Sequence, residues 1–105
     1  MPRIASQDAQ RLLAGVPEEY VFRCCDGRSL RDMKELQEAL GAITDETFGF
    51  HSNSERSDFS SWVRDIIRDE KLARDLAKSP NRTQAEKRVE ERIAFLSSKI
   101  ASDKP

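Results

Sequence analysis

The chain has 105 residues, which gives room for a single domain, 1–105, with one core and an ordered part expected over about residues 6–100. Its charged fraction is 35%, above the roughly 25% usual for soluble domains, and its hydrophobic fraction is only 37%. With 18 basic against 19 acidic residues the net charge is −1, so no field of one sign is available to draw in a polyanion.

This balance suits short amphipathic helices, each with one buried stripe and a wet remainder. The opening Met1-Pro2-Arg3-Ile4-Ala5 lacks the apolar core of a signal peptide. No stretch approaches the roughly 18 apolar residues of a membrane span, so a cytoplasmic protein with no membrane partner is expected. The only cysteines are the adjacent Cys24 and Cys25, which excludes a secreted disulfide framework.

Ser6 can cap a first helix over about residues 7–14, with Ala9, Leu12 and Leu13 inward, stopped by Gly15 and Pro17. Tyr20-Val21-Phe22-Arg23-Cys24-Cys25 is the one run rich in β-formers and reads as a short strand closed by the Asp26-Gly27 turn. No second strand of equal quality follows. The strand is therefore expected to bridge to a loop or to another copy of the chain, a hint of a homo-oligomer.

Ser29-Leu30-Arg31-Asp32 resembles a capping box, and Leu30, Met33, Leu36 and Leu40 then give one apolar helical face until Gly41. Thr44 to Phe48 reads as an extra helical turn and Gly49 to Ser54 as a loop. A third main helix begins near Ser57 or Asp58, with Phe59, Trp62, Val63, Ile66 and Ile67 on one face. Leu72 and Leu76 fall roughly 100–140° from the centre of that stripe, at 100° per residue. One straight helix cannot bury both sets, so a break is expected at Arg68-Asp69, with Asp69 capping a second segment to about Lys78.

Ser79-Pro80-Asn81 is a stop, and Thr83-x-x-Glu86 a full capping box that opens the final helix. Its apolar stripe is Ala85, Val89, Ile93, Leu96 and Ile100. The opposite face carries Glu86, Lys87, Arg88, Glu90, Glu91 and Arg92, and residues 101–105 are expected to fray. The fold class predicted is mainly α, a compact bundle of four to five short helices with one short β-strand after the first.

Little in the chain carries catalytic chemistry. His51 is the only histidine, and neither Cys24, Cys25, Asp26 nor Asp58 lies at a recognised zinc spacing from it, so no metal and no cofactor are expected. In a strand, adjacent cysteines face opposite ways and cannot share a ligand, leaving one as a small buried hydrophobe and one as an incidental thiol. A thiol nucleophile paired with His51 in space is conceivable without local support. There is no phosphate loop and no nucleophile elbow. Arg82, Lys87, Arg88 and Arg92, with Arg64 and Arg68, form the nucleic-acid case, but Glu86, Glu90 and Glu91 are interleaved with them.

Residues 48–77 are denser in specific residue types than a plain helix requires. Phe48 and Phe50 bracket the stretch before His51, Asp58 is placed to cap the helix bearing the single Trp62, and Asp69 caps the next. With Phe22 and Asp26-Gly27 upstream, the pattern is F-x-x-x-D-G, F-x-x-H, D-F-x-x-W and D-x-x-L-A. Phe22, Asp26, Gly27, Phe48, His51, Asp58, Phe59, Trp62, Asp69, Leu72 and Ala73 carry it. The pattern, over about residues 18–97, resembles a family of small, mostly archaeal cytoplasmic proteins of unknown function. The resemblance implies a self-contained domain and no activity.

Two readings of this constellation stand side by side. In the structural one, His51 and Asp58 bond each other or helix N–H groups, while Trp62 anchors the core with its indole N–H on a loop carbonyl. In the functional one, His51, Asp58 and Trp62 form a recognition surface. The function expected is a non-catalytic protein-interaction or adaptor module, binding a protein partner or itself. The alternatives are a nucleic-acid-binding accessory protein and a small metal- or thiol-dependent enzyme.

Overall fold

The computed structural model describes residues 5–52 and 57–102 and is mainly α-helical. The order is α1 (Ser6–Leu13), a 3-10 turn (Glu18–Tyr20), β1 (Phe22–Arg23), β2 (Ser29–Leu30), α2 (Met33–Ala42), α3 (Asp45–His51), α4 (Asp58–Trp62), a π-helical turn (Val63–Ile67), α5 (Glu70–Ala77) and α6 (Arg82–Ser102). The expected bundle is present, with six α-helices among the described residues, the last of them 21 residues long. α6 is the spine: it packs against α2, α1 and α5, while α4 lies against α5.

The helical stripes bury most of the residues that periodicity selects, while Leu13, Ile66, Ile93 and Ile100 pack half-buried at the edge of the core. Ala9 and Leu12 of α1, Met33, Leu36 and Leu40 of α2, Leu72 and Leu76 of α5, and Ala85, Val89 and Leu96 of α6 join one continuous cluster. Full burial of each large apolar side chain contributes roughly 1.5–3 kcal/mol, which gives the stripes their hold on the fold. Among the described residues, no helix is long and apolar enough to cross a membrane.

Five local expectations change. The strand finds its partner inside the chain: β1 pairs antiparallel with β2, Phe22 opposite Leu30 and Arg23 opposite Ser29. The open strand edge therefore no longer argues for pairing with a second copy. Gly27 makes the turn possible, since its φ of 99° is a conformation that side chains disfavour. Ser29 and Leu30 are used in this hairpin, and the cap of α2 is Asp32, which accepts from the Glu35 N–H at 2.8 Å.

Next, α3 continues through Gly49 and Phe50 to His51, where a loop is expected; residues 53–54 of that loop lie outside the described residues. Thr44 caps α3 by accepting from the Thr47 N–H. Ser57, one residue before Asp58, caps α4 through the Ser60 N–H at 3.1 Å. Finally, α6 starts ahead of its predicted box, because Asn81 accepts from the Gln84 N–H at 2.9 Å.

The break at residues 68–69 is real and has a specific form. The π turn ends in Arg68, whose φ of 72° is left-handed, and the N–H groups of both Arg68 and Asp69 reach back to the Val63 carbonyl. Asp69 then caps α5 by accepting from the Leu72 N–H at 3.1 Å. This reversal lets the stripe of Phe59, Trp62, Val63 and Ile67 and that of Leu72 and Leu76 enter the same core.

Candidate functional site

The aromatic and polar residues singled out in the sequence come together where the hairpin meets α3 and α4. Ser52 and Ser57 form an isolated antiparallel bridge that brings the end of α3 to the start of α4. His51, in the last turn of α3, thereby faces Asp58, in the first turn of α4, with Nδ1 and Oδ2 3.0 Å apart. On the other side of the ring, Nε2 accepts the backbone N–H of Cys25 at 3.0 Å.

These two bonds define the state of the imidazole. The Cys25 amide can only donate, so Nε2 carries a lone pair. The Asp58 carboxylate accepts, so the ring proton sits on Nδ1 and the imidazole is neutral. The ring is only 5% exposed and is stacked edge-on against Phe22, Phe50 and Phe59, with centroids 5.0–5.4 Å away. Phe22 extends the cluster to Trp62 at 5.9 Å, and Phe59 to Phe48 at 5.8 Å. Such pairs contribute roughly 0.5–1.5 kcal/mol each beyond their buried area.

Trp62 is likewise committed. Its indole N–H donates to the Tyr20 carbonyl at 2.8 Å, and its ring is 7% exposed. The structural reading of His51, Asp58 and Trp62 therefore describes their contacts. The first and last are too deeply set to form a contact surface themselves.

The structure also brings the Cys25 backbone, the His51 imidazole and the Asp58 carboxylate into one hydrogen-bonded line. A thiol–imidazole pair needs a ring lone pair free to take the thiol proton. Here that lone pair is occupied by the amide of the same cysteine. Cys25 is exposed, whereas Cys24 is buried and its thiol is pushed up, chiefly by loss of solvent. In the same turn, Arg28 hydrogen-bonds the Asp26 carboxylate and holds it below the usual range. Among the described residues, no three His, Cys, Asp or Glu side chains gather as a metal site.

Several residues escape the sequence reading. Tyr20 and Phe50 are large, aromatic and at least half exposed, and both attach to the buried clasp, Tyr20 through its carbonyl on Trp62 and Phe50 through its ring on His51. Arg92, assigned to the charged outer face of α6, is instead buried. Its Nε and Nη2 donate to the two carboxylate oxygens of Asp69 at 2.7 and 3.1 Å. The signal was available: Arg92 stands three residues after Val89 and four before Leu96, on the buried stripe.

This ion pair helps line a cleft of about 690 Å³ between α1, the π turn, α5 and α6. Six of its lining charges pair within it, Arg11 with Asp8, Arg64 with Asp65 and Arg92 with Asp69, and Lys71 pairs with Asp75 beyond it. The basic residues of the nucleic-acid case are dispersed in the same way. Arg82 binds the Leu40 carbonyl and Asp45, and Arg88 binds Glu91.

Comparison with known proteins returns nothing to set beside this arrangement: no family model, curated protein or solved structure matches the chain.

Proposed function

We propose that the protein is a non-catalytic interaction module that offers the exposed rings of Tyr20 and Phe50 to a protein partner. One observation carries this reading. The polar groups of His51 and Trp62 are satisfied within the chain, so they serve as fasteners, His51 against the Phe50 ring and Trp62 on the Tyr20 backbone, while Tyr20 and Phe50 stay 50% and 58% exposed. Aromatic side chains held in place before binding lose little freedom on association and are enriched at protein interfaces. The buried cluster of Phe22, Phe59 and Trp62 supplies the rigid base.

A nucleic-acid partner is less well supported. Four of the six basic residues that could argue for it, Arg64, Arg82, Arg88 and Arg92, are matched to acidic side chains. A cytoplasmic setting accompanies the reading, supported by two cysteines that remain free.

The test compares the wild-type chain with a Tyr20→Ser, Phe50→Ser double variant as baits in lysate of the source cells, with and without nuclease. Thermal melts are recorded on both baits. Expected is a defined partner, retained after nuclease by the wild type and lost by a variant that still melts cooperatively. Equal recovery by both baits refutes the surface. Recovery that vanishes with nuclease and falls steeply with salt moves the function to nucleic acid. Sedimentation of the wild type and the variant identifies the case in which the partner is a second copy.

A further inference from the structure

We propose that His51 is a proton-sensitive latch on the hairpin tip, residues 25–28: a second proton on its imidazole expels the Cys25 amide and frees the tip. The inference rests on the geometry of the ring and does not depend on the interaction reading.

The argument begins with the donor count. A neutral imidazole has one acceptor nitrogen, and in His51 that nitrogen, Nε2, holds the Cys25 N–H at 3.0 Å. A doubly protonated imidazole has none. Its Nε2–H would then point at the Cys25 N–H, donor against donor, at a separation only a hydrogen bond sustains. The contact must open. On the opposite side, the same proton turns the Nδ1–H···Oδ2 bond to Asp58 into an ion pair, which strengthens it. The charged ring therefore stays with α4 and lets go of the hairpin.

The surroundings determine what moves. The ring is enclosed by Phe22 of β1, Phe50 of α3 and Phe59 of α4, none of which titrates. Among the described residues, the ionisable side chain bonded to the ring is Asp58 on α4, and the group on its other side is the Cys25 backbone amide. The turn itself adds Cys24, Asp26 and Arg28, and the last two are occupied with each other. β1 and β2 are fixed by the burial of Phe22 and Leu30, so the hairpin stem remains in place. Cys24 is anchored by its burial in the core, whereas the tip beyond it, residues 25–28, is stitched back to the turn by Cys24 N–H to the Arg28 carbonyl and Gly27 N–H to the Cys24 carbonyl. The Cys25–His51 bond ties that tip to the helical body, and its loss releases the tip beside the ring that seats Phe50.

The experiment is an NMR titration of the full chain labelled with nitrogen-15. Imidazole nitrogen shifts report the tautomer and the second protonation of His51, and hydrogen-exchange protection factors report the Cys25 amide. Expected is a proton on Nδ1 alone in the neutral ring. As the second proton arrives, the Cys25 protection factor falls by about tenfold or more, the scale of one lost hydrogen bond. The Ile43 amide, bonded to the Ala39 carbonyl within α2, should keep its protection. In a His51→Gln variant the side-chain amide can accept from Cys25 without titrating, so its Cys25 protection should stay flat over the same range. If that variant does not fold, the wild-type titration decides alone. A neutral ring protonated on Nε2, or Cys25 protection that ignores the charge on the ring, overturns the proposal.

Discussion

Removing the guanidinium of Arg92 should be among the most destabilising single changes open to this chain, although α6 presents the residue in the middle of a charged run. Asp69 accepts three hydrogen bonds, one from the Leu72 N–H and two from Arg92, and its side chain is 1% exposed. Arg92→Met keeps the volume but leaves a buried carboxylate with only its helix cap, a loss expected to cost about 3–5 kcal/mol. The reverse change is milder. Asp69→Ser keeps a short cap for Leu72, and the long Arg92 stem lets its head group turn into the cleft, so a cost of about 1–3 kcal/mol is expected. The double variant removes both charges and should return to within about 1 kcal/mol of wild type. Urea denaturation reads all four proteins. At an m-value near 1.5 kcal/mol/M, Arg92→Met lowers the midpoint by roughly 2–3 M. A cost for Arg92→Met below about 1 kcal/mol, or a double variant equal to the sum of the singles, would falsify this account of the pair.

Two further changes probe the break and the hairpin turn. Arg68 holds a left-handed φ of 72° that glycine adopts without penalty. Relief of about 1–2 kcal/mol of strain in Arg68→Gly outweighs the added freedom of the unfolded chain, and the melting temperature should rise by a few degrees. A fall would mean that the Arg68 side chain makes a contact worth more than the strain. In the native protein a brief exposure to a maleimide should modify Cys25 and spare Cys24, whose thiol is buried and pushed up. Equal labelling of the two, read by peptide mass spectrometry, would show that the turn does not hold them on different sides.

The fold was legible where one stripe could be followed over several turns. α2, α5 and α6 bury Leu36 and Leu40, Leu72 and Leu76, and Val89 and Leu96 as the 3.6-residue period requires. The break at Arg68-Asp69 was legible for the same reason, as two stripes out of phase. The hairpin was not, because Ser29-Leu30 is a two-residue strand whose neighbours also resemble a helix cap. The competing caps at Asp32, Ser57 and Asn81 lie within three residues of the predicted ones, and the side chain that reaches the right N–H is a matter of local geometry.

The site divides along a different line. Asp58 beside His51, and Trp62 reaching a loop carbonyl, follow from a polar residue at a helix start and a single indole that must be buried. The bond that decides the chemistry of His51 could not be read in this way, because its donor is a backbone N–H 26 residues away. Backbone groups carry no residue identity, so no motif records them. Yet that one amide takes the only lone pair on the only imidazole. It thereby occupies the ring nitrogen that a thiol–imidazole pair would use and ties the end of α3 to the hairpin tip. Each residue in the motif is consistent with either outcome. The difference lies in which hydrogen the ring accepts, and this is why the Cys25 amide, and not the thiol, is the group to watch when His51 changes charge.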